Sequence, residues 1–324
     1  MNTKQRLELL LVGNSGKYIS GNEIAKYLGL SRTAIWKNIR QLEDDGYIIE
    51  ASTRLGYRLS EESDPVCAFP IEQRLGDHSP QISLEVVGDT TSTNNVLKSR
   101  AAELPEWHVL VASHQSSGKG RLGRRFYSPK GTGLYMSVLL RPTLPAEQSI
   151  RITTAAAVAA CLAIEETTDE KPQIKWVNDV FVRGKKTCGI LTEASLNIES
   201  GGIDWAVMGI GFNVYEPEGG FPEDIASVAG PIAQEKKGWL RSDLAASFIR
   251  HFYDICSDPG RAVFSEEYKK RSFIIGKRIN VIRGGASKPA KALDIDEECR
   301  LIVEYEDGSR ETLSSGEVSI RSMQ

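Results

Sequence analysis

Gln115-Ser116-Ser117-Gly118-Lys119-Gly120-Arg121-Leu122-Gly123-Arg124-Arg125-Phe126 is the segment on which the fold class turns. It follows a β-like run, His108–Ser113, and sets three glycines among four basic side chains. It is no P-loop, because Gly-Lys-Ser/Thr is absent, and no dinucleotide fingerprint, because no helical pattern opens at its end. Glycines let backbone N–H groups approach an anion closely, and interleaved cations supply the counter-charge. Taken alone, the segment reads equally as a basic surface loop or a nucleic-acid contact. Outward from it, residues 82–214 alternate β-like runs with one long helical stretch, Ala146–Glu166. The runs are Ile82–Val87, His108–Ser113, Leu134–Leu140, Cys188–Leu196 and Trp205–Val214. Several are separated by hairpin-length gaps, so an α+β domain is expected, a mixed or largely antiparallel sheet with helices to one side.

The chain has 324 residues, enough for two or three domains, and 40% hydrophobic with 26% charged residues is ordinary globular composition. No apolar run approaches the roughly 18 residues needed to cross a bilayer. The start, MNTKQRLELLL, lacks a small-residue cleavage site, so a cytoplasmic protein with no membrane partner is expected. The five cysteines (Cys67, Cys161, Cys188, Cys256 and Cys299) are scattered and never form a C-x-x-C pair. That argues for reduced thiols, against a disulfide framework and against a cysteine-rich zinc site; no residue is assigned as a metal ligand. Net charge is −3, but residues 1–60 hold nine Lys/Arg against six Asp/Glu. From Trp107 to Ala146 there is no acidic residue at all, while Lys119, Arg121, Arg124, Arg125, Lys130 and Arg141 are basic. A one-signed stretch is usually a solvated face; its coincidence with the glycines points to a bound anion.

The first domain boundary is expected near Glu61–Pro65, a charged stretch ending in proline, and the second near Tyr268–Phe273. This gives residues 1–63, 66–270 and 271–324 as three domains. In the first, Leu7/Leu10/Leu11, Ile24/Ala25/Leu28 and Ile35/Ile39/Leu42 mark three helical faces. Ser20 and Glu23 make a capping box, Gly29 ends the second helix, and Ser31 caps the third. Two short helices so joined form a helix-turn-helix, and Tyr47–Glu50 with Tyr57–Leu59 would add a wing. Arg32, Thr33 and Lys37, off the apolar face of the third helix, are candidate DNA contacts together with Arg54. A three-helix interaction module with ordinary surface cations is the other reading. Trp36 reads as packing rather than as a base contact. In the last domain, Ile279–Ile320 reads as short strands broken at Gly284-Gly285 and Asp307-Gly308, a small β-barrel of the SH3-like kind.

Two further segments sharpen the reading: Lys175-Trp176-Val177-Asn178-Asp179 with Lys185-Lys186-Thr187-Cys188-Gly189-Ile190-Leu191, and Gly209-Ile210-Gly211-Phe212-Asn213-Val214. With Ser92-Thr93-Asn94 and the basic glycine segment, they match in order and approximate spacing the motifs S-T-N, Q-x-x-G-[RK]-G-R-x-G-R, K-W-P-N-D, K-[LIV]-x-G-I-L and G-[IL]-G-[IL]-N. The chain thus resembles the bifunctional biotin protein ligases that double as biotin operon repressors, and the resemblance spans its whole length. It departs at Val177, where proline is usual, at Thr187, and in Tyr215–Ala229, which keeps Phe221-Pro222-Glu223 but no clear A-T-S-L.

The resemblance implies a ligase that makes biotinyl-5′-AMP from biotin and ATP with Mg²⁺, then transfers biotin to a lysine of a biotin carboxyl carrier domain of a carboxylase. It also implies repression of biotin genes at operator DNA, by a homodimer formed when biotinyl-AMP is bound. A carboxylate approaching a triphosphate brings two anions together, so fixed cations and backbone donors must do the work, with no protein nucleophile. By resemblance, Arg121 holds the phosphate, Lys186 bridges the biotin carboxylate and the α-phosphate, and Asp179 helps hold Mg²⁺ or takes the proton of the incoming lysine. A structural carboxylate capping a turn is the other reading of Asp179. Ser92, Thr93, Asn94, Gln115, Gly118, Lys119, Gly120, Arg124, Asn178, Gly189, Gly209, Gly211 and Asn213 are the expected binding residues, with Phe126 and Trp176 as apolar walls. A glycine-rich segment that closes on the product would shield the acyl-adenylate from water. A lipoate or octanoate ligase, a metabolite sensor without ligase activity, and a ligase that does not bind DNA are the competing readings.

Overall fold

The computed structural model describes residues 2–143, 145, 148–196, 201–257, 263–283 and 285–320. The N-terminal unit holds α1 (Thr3–Val12), α2 (Gly21–Leu28) and α3 (Arg32–Asp44), then a hairpin of β1 (Ile49–Ser52) and β2 (Gly56–Leu59). The expected caps are present: Ser20 and Glu23 bond reciprocally, Gly29 is left-handed, and Ser31 accepts from the Ala34 N–H. Leu7, Leu11, Ile24, Leu28, Ile35, Ile39 and Leu42 form the buried core, so this unit is a winged helix-turn-helix as the spacing implied.

The charged joint after it is not a solvated linker. Asp64 is buried, and its carboxylate accepts from Arg241 Nε at 2.9 Å, from the Arg241 N–H at 3.0 Å and from the Tyr215 hydroxyl at 2.8 Å. Arg241 also bonds the Asp64 carbonyl. Burial pushes the Asp64 carboxyl above its usual range despite the adjoining guanidinium.

The central domain adds α4 (Ala68–Leu75), β3 (Ser83–Thr90), α5 (Thr93–Arg100), β4 (His108–Gln115), β5 (Gly133–Leu140) and α6 (Ile150–Thr167). There follow β6 (Gln173–Lys175), β7 (Asp179–Val182), β8 (Lys185–Leu196), β9 (Ile203–Asn213), the single turn α7 (Glu223–Ala226), α8 (Leu240–Ser257) and α9 (Val263–Arg271). The expected long helix starts at Ile150; Ala146 lies outside the described residues. Seven strands form one sheet in the order β3-β4-β5-β9-β8-β7-β6, with β3 and β4 parallel and every other pair antiparallel.

Strand alternation sorts the two faces of this sheet. Val109, Val111, Val138, Met208 and Phe212 point to one face, where α6 and α8 pack in the main core. α6 is buried almost all round, and its run Ala155–Ala160 keeps side-chain bulk low between the sheet and α8. The opposite face carries Leu110, Leu139 and Val207 under α5, and beside them the small residues Ser137, Gly189, Gly209 and Gly211. Those small residues leave a trough in the middle of the sheet.

The C-terminal strands β10 (Arg278–Arg283), β11 (Ala286–Ile295), β12 (Leu301–Tyr305), β13 (Arg310–Leu313) and β14 (Glu317–Ile320) form a five-stranded antiparallel sheet ordered β13-β12-β11-β10-β14. The Asp307-Gly308 turn lies between β12 and β13 as expected, and Gly284 lies outside the described residues. Ile279, Val303 and Val318 join the main core, so this sheet packs as one body with the central domain. The Trp176 indole N–H donates to the Cys299 carbonyl at 3.0 Å across that junction.

Candidate functional site

A cavity of about 400 Å³ opens over the trough, between the N-terminus of α5, the basic glycine segment, the start of β8 and the turn before β14. Of the residues expected at the ligand site, all but Gly118 line it. Gly118 serves the loop instead: a Cβ there would lie 2.5 Å from the Phe126 carbonyl oxygen and from Ser128 Oγ.

The glycines of the sheet provide room. A Cβ on Gly209 would lie 1.9 Å from Asn94 Oδ1, and one on Gly211 would lie 2.4 Å from the Phe126 ring. Both sit inside β9 between β5 and β8, where the backbone belongs to the sheet ladder. Their packing role stands beside the ligand contact expected of both, since both line the cavity. Phe126 lies on the trough as its apolar wall, edge-on to Tyr135. Trp176 is both wall and core, 3% exposed.

At the polar end, Ser92 caps α5 and puts Thr93 and Asn94 in its first turn, both buried. The Thr93 N–H donates to Gln115 Oε1 at 2.9 Å, which fixes that amide so that Nε2 faces Ser128 Oγ at 3.1 Å. Ser137, fully buried on β5, stands 2.7 Å from Thr93 Oγ1 and 2.6 Å from Asn94 Oδ1. No motif marked Ser137; only the strand register brings it here.

At the charged end, six basic side chains and three carboxylates line the cavity. The glycine segment folds as a small hairpin, with the Phe126 N–H on the Gly118 carbonyl at 2.9 Å and the Gly120 N–H on the Arg124 carbonyl at 2.8 Å. Its apex, Arg121–Gly123, is a single 3-10 turn that carries Leu122 and Gly123 at positive φ. The hairpin is tied to the C-terminal sheet. Arg121 donates to Asn178 Oδ1 and to the Gly316 carbonyl, each at 3.0 Å, and Arg124 forms a two-pronged pair with Glu317 at 2.8 Å. The Arg124 guanidinium holds the Glu317 carboxyl below its ordinary range.

Lys186 Nζ stands 2.6 Å from Asp179 Oδ1, an ion pair without hydrogen-bond alignment, so that buried Oδ1 has no hydrogen-bond donor among the described residues. Asn178 donates to the Ile190 carbonyl at 2.9 Å, and Asn213 to the Lys186 carbonyl at 3.5 Å. The Trp176–Val177 peptide bond is cis, at the position where the motif usually has proline. Lys175 also lines the cavity although sequence reasoning gave it no role. Burial pulls its ammonium below the ordinary lysine range, and Lys186 adds to that, against the opposing pull of Asp179. Its place at the head of the Lys175–Asp179 motif was the signal available. The segment lacking A-T-S-L forms α7, and Asp224, Ile225, Val228 and Ala229 close the far side of the cavity. The Lys186 N–H holds this segment through the Val228 carbonyl at 2.8 Å.

On the winged helix, Arg32, Thr33, Lys37 and Arg54 are all exposed. Arg32 donates to Asn22 Oδ1 at 2.9 Å. The expectation that Trp36 is packing is corrected: it is 54% exposed on α3, with the Arg40 guanidinium 5.5 Å from its ring centre. The apolar stripe of α3 is complete with Ile35, Ile39 and Leu42, which leaves Trp36 turned outward.

Comparison with known proteins gives a consistent picture. The biotin/lipoate A/B protein ligase family matches residues 84–213, an HTH domain matches 4–58, and the biotin protein ligase C-terminal domain matches 274–321. The chain is 32% identical to the bifunctional ligase/repressor BirA of Bacillus subtilis over 310 residues, covering 92% of this chain and 93% of that one. It is 28% identical to that of Escherichia coli over 320 residues, covering 98% and 97%. Among solved structures, the Aquifex aeolicus biotin protein ligase in complex with biotin and ATP superposes with a TM-score of 0.63 at 26% identity, covering 74% of this chain and 99% of that one.

Proposed function

Because the chain belongs to the biotin protein ligases, in their bifunctional ligase/repressor branch, we propose that it makes biotinyl-5′-AMP from biotin and ATP, biotinylates a carrier lysine, and represses biotin genes through its winged helix. In the first half-reaction a biotin carboxylate oxygen bonds the α-phosphorus as the bond to pyrophosphate breaks. In the second, a lysine amine of a biotin carboxyl carrier domain attacks the acyl carbon, and AMP leaves. The observation that carries this reading is the polarity of the cavity. One end pairs a neutral hydrogen-bonding floor with an aromatic wall, which suits a small ring, and the other gathers Arg121, Lys175 and Lys186, which suits a carboxylate beside a polyphosphate. Arg121 holds phosphate and Lys186 moves from Asp179 onto the two approaching anions. Asp179, with a buried oxygen lacking a hydrogen-bond donor, fits the oxygen ligation that Mg²⁺ prefers and would hold that ion, which neutralises polyphosphate charge. The domain division is proposed as 1–63, 66–270 and 271–324, with the first two joined through the buried Asp64.

Pyrophosphate exchange into ATP tests the ligase half: it should depend on biotin and not on lipoate, and exchange driven by lipoate alone would overturn the assignment. Gly209→Ala should weaken biotin binding about 10- to 100-fold in calorimetry, because the added methyl displaces Asn94 and leaves buried polar groups unmet. The repressor half is tested by footprinting on the upstream DNA of the protein's own gene. Protection should require biotin and ATP, as expected of a corepressor-driven homodimer on a two-fold operator. Arg32→Ala/Lys37→Ala should abolish the footprint while leaving pyrophosphate exchange unchanged. A footprint that survives that double substitution would remove α3 from the DNA interface.

A further inference from the structure

Hydrogen-bond arithmetic around Thr93 identifies residues that no motif marked. Glu193, on β8, has its carboxyl pushed up by burial but held below the ordinary range overall by Lys98 and Asn94; Lys98 Nζ lies 2.5 Å from its Oε1. Its Oε2 lies 2.9 Å from the Asn94 side chain. A carboxylate only accepts, so Asn94 must turn its NH₂ group to Glu193, where it also meets the Leu191 carbonyl at 3.3 Å. Asn94 Oδ1 is thereby left facing Ser137 Oγ at 2.6 Å, and that short contact requires the one Ser137 proton. The 2.7 Å contact between Ser137 and Thr93 then requires the one Thr93 proton. Gln115 Oε1 already accepts the Thr93 N–H and lies 3.2 Å from the Thr93 hydroxyl, so it is the more distant of the two acceptors open to that proton. Every hydroxyl proton in the row is consumed inside the protein, and the direction of the row is set at the Asn94 amide by Glu193, the nearer of its two acceptors.

We infer that Glu193, acting through Asn94 and Ser137, is a specificity-determining positioning residue. It turns the Thr93 hydroxyl proton away from the cavity, so the cavity accepts a ring N–H there and rejects a ring oxygen of the same size. Beside that acceptor stands Gln115 Nε2, whose second proton is free of Ser128. An acceptor next to a donor complements an N–H next to a C=O in a ring, which is the edge of a cyclic urea. The inference rests on the proposed biotin specificity and adds what enforces it at a distance from the ligand.

The test compares calorimetric Kd values for biotin and for its analogue with one ring N–H replaced by oxygen, on the full chain and on Glu193→Gln and Ser137→Ala. In the unsubstituted chain the analogue should bind far more weakly than biotin, since two acceptors then face each other. Glutamine can accept or donate, so E193Q frees the Asn94 amide to turn over; S137A frees the Thr93 hydroxyl to rotate. Each should shrink the analogue-to-biotin Kd ratio by about tenfold or more, roughly one hydrogen bond's worth. A merely structural role would weaken both ligands alike and leave the ratio fixed, and that outcome in both variants overturns the inference while sparing the biotin assignment. The two substitutions break the row on either side of Asn94, so one that unfolds the chain leaves the other to decide. Failure of the unsubstituted chain to bind biotin at all would remove both.

Discussion

Lys186→Ala should lower biotin-dependent pyrophosphate exchange about 10²–10³-fold, the cost of losing one preorganised group that meets charge developing in the transition state, about 2.7–4 kcal/mol. The backbone of Lys186 is fixed: its N–H is held by the Val228 carbonyl, and its carbonyl takes the Gly230 N–H at 3.1 Å and Asn213 Nδ2 at 3.5 Å. Only the side chain has freedom. Its Nζ would stand 3.5 Å from a Cβ on Gly189, so it lies low over the trough, and its contact with Asp179 lacks hydrogen-bond alignment. Transfer of the ammonium to a ligand anion therefore breaks no hydrogen bond to Asp179. The loss should fall on kcat of adenylation. Preformed biotinyl-AMP bypasses the step that joins the two anions, so biotin transfer from it to a carrier domain should drop much less in the variant. Equal losses in the two assays, or a loss under tenfold in the first, would take Lys186 out of the adenylation step.

Arg241→Leu should cost about 3–5 kcal/mol of stability at pH 7, read from urea unfolding followed by tryptophan fluorescence. Asp64 and Arg241 are 6% exposed each and carry one another's charge, with the Tyr215 hydroxyl and the Arg241 N–H completing the carboxylate's shell. Removal of the guanidinium strands a buried carboxylate, and Asp64→Leu in the same chain should recover much of the loss. The pH dependence has a definite sign. Burial already raises the folded-state Asp64 carboxyl, and loss of Arg241, which lowers it, raises it further. The folded variant then binds a proton that the unfolded chain releases. Its deficit is full above the raised folded value and shrinks as pH falls through that value towards the ordinary aspartate range. A deficit that grows between pH 7 and pH 5 would show that Asp64 is not the group left exposed to the change.

The sequence announced the parts of this molecule that are local and concealed those that depend on register. Capping chemistry marked α2 and α3 because Ser20, Glu23, Gly29 and Ser31 act within a few residues of themselves. Apolar β-like runs marked β4, β5 and β9, while β6 and β7 are too short, at three and four residues, to stand out. The cationic wall was legible because its members lie inside contiguous motifs. Ser137 and Glu193 were not, since each reaches Asn94 only through the stacking of β5, β9 and β8, with Ser137 beside Gly209 and Gly209 beside Leu191. The G-I-G run of β9 was legible as part of the site, but not that its two glycines make way for Asn94 and Phe126. Asp64 looked like linker because charge and a following proline mark solvent in most chains; its partner lies 177 residues away. Trp36 was read as packing, although the α3 stripe was already filled by Ile35, Ile39 and Leu42.

The buried aspartate at the joint bears on how such a chain loses or exchanges its regulatory half. A cut that spares Asp64 still strips the cover from Trp239, whose N–H is held by the Ser63 carbonyl, and removes the Glu61 backbone that fits against Gly238. A cut a few residues later orphans Arg241 as well. Gene fusion and fission at this point are thus constrained by one carboxyl group: a ligase that sheds its winged helix must first find its arginine another anion, and a transplanted winged helix must arrive with the hinge peptide attached.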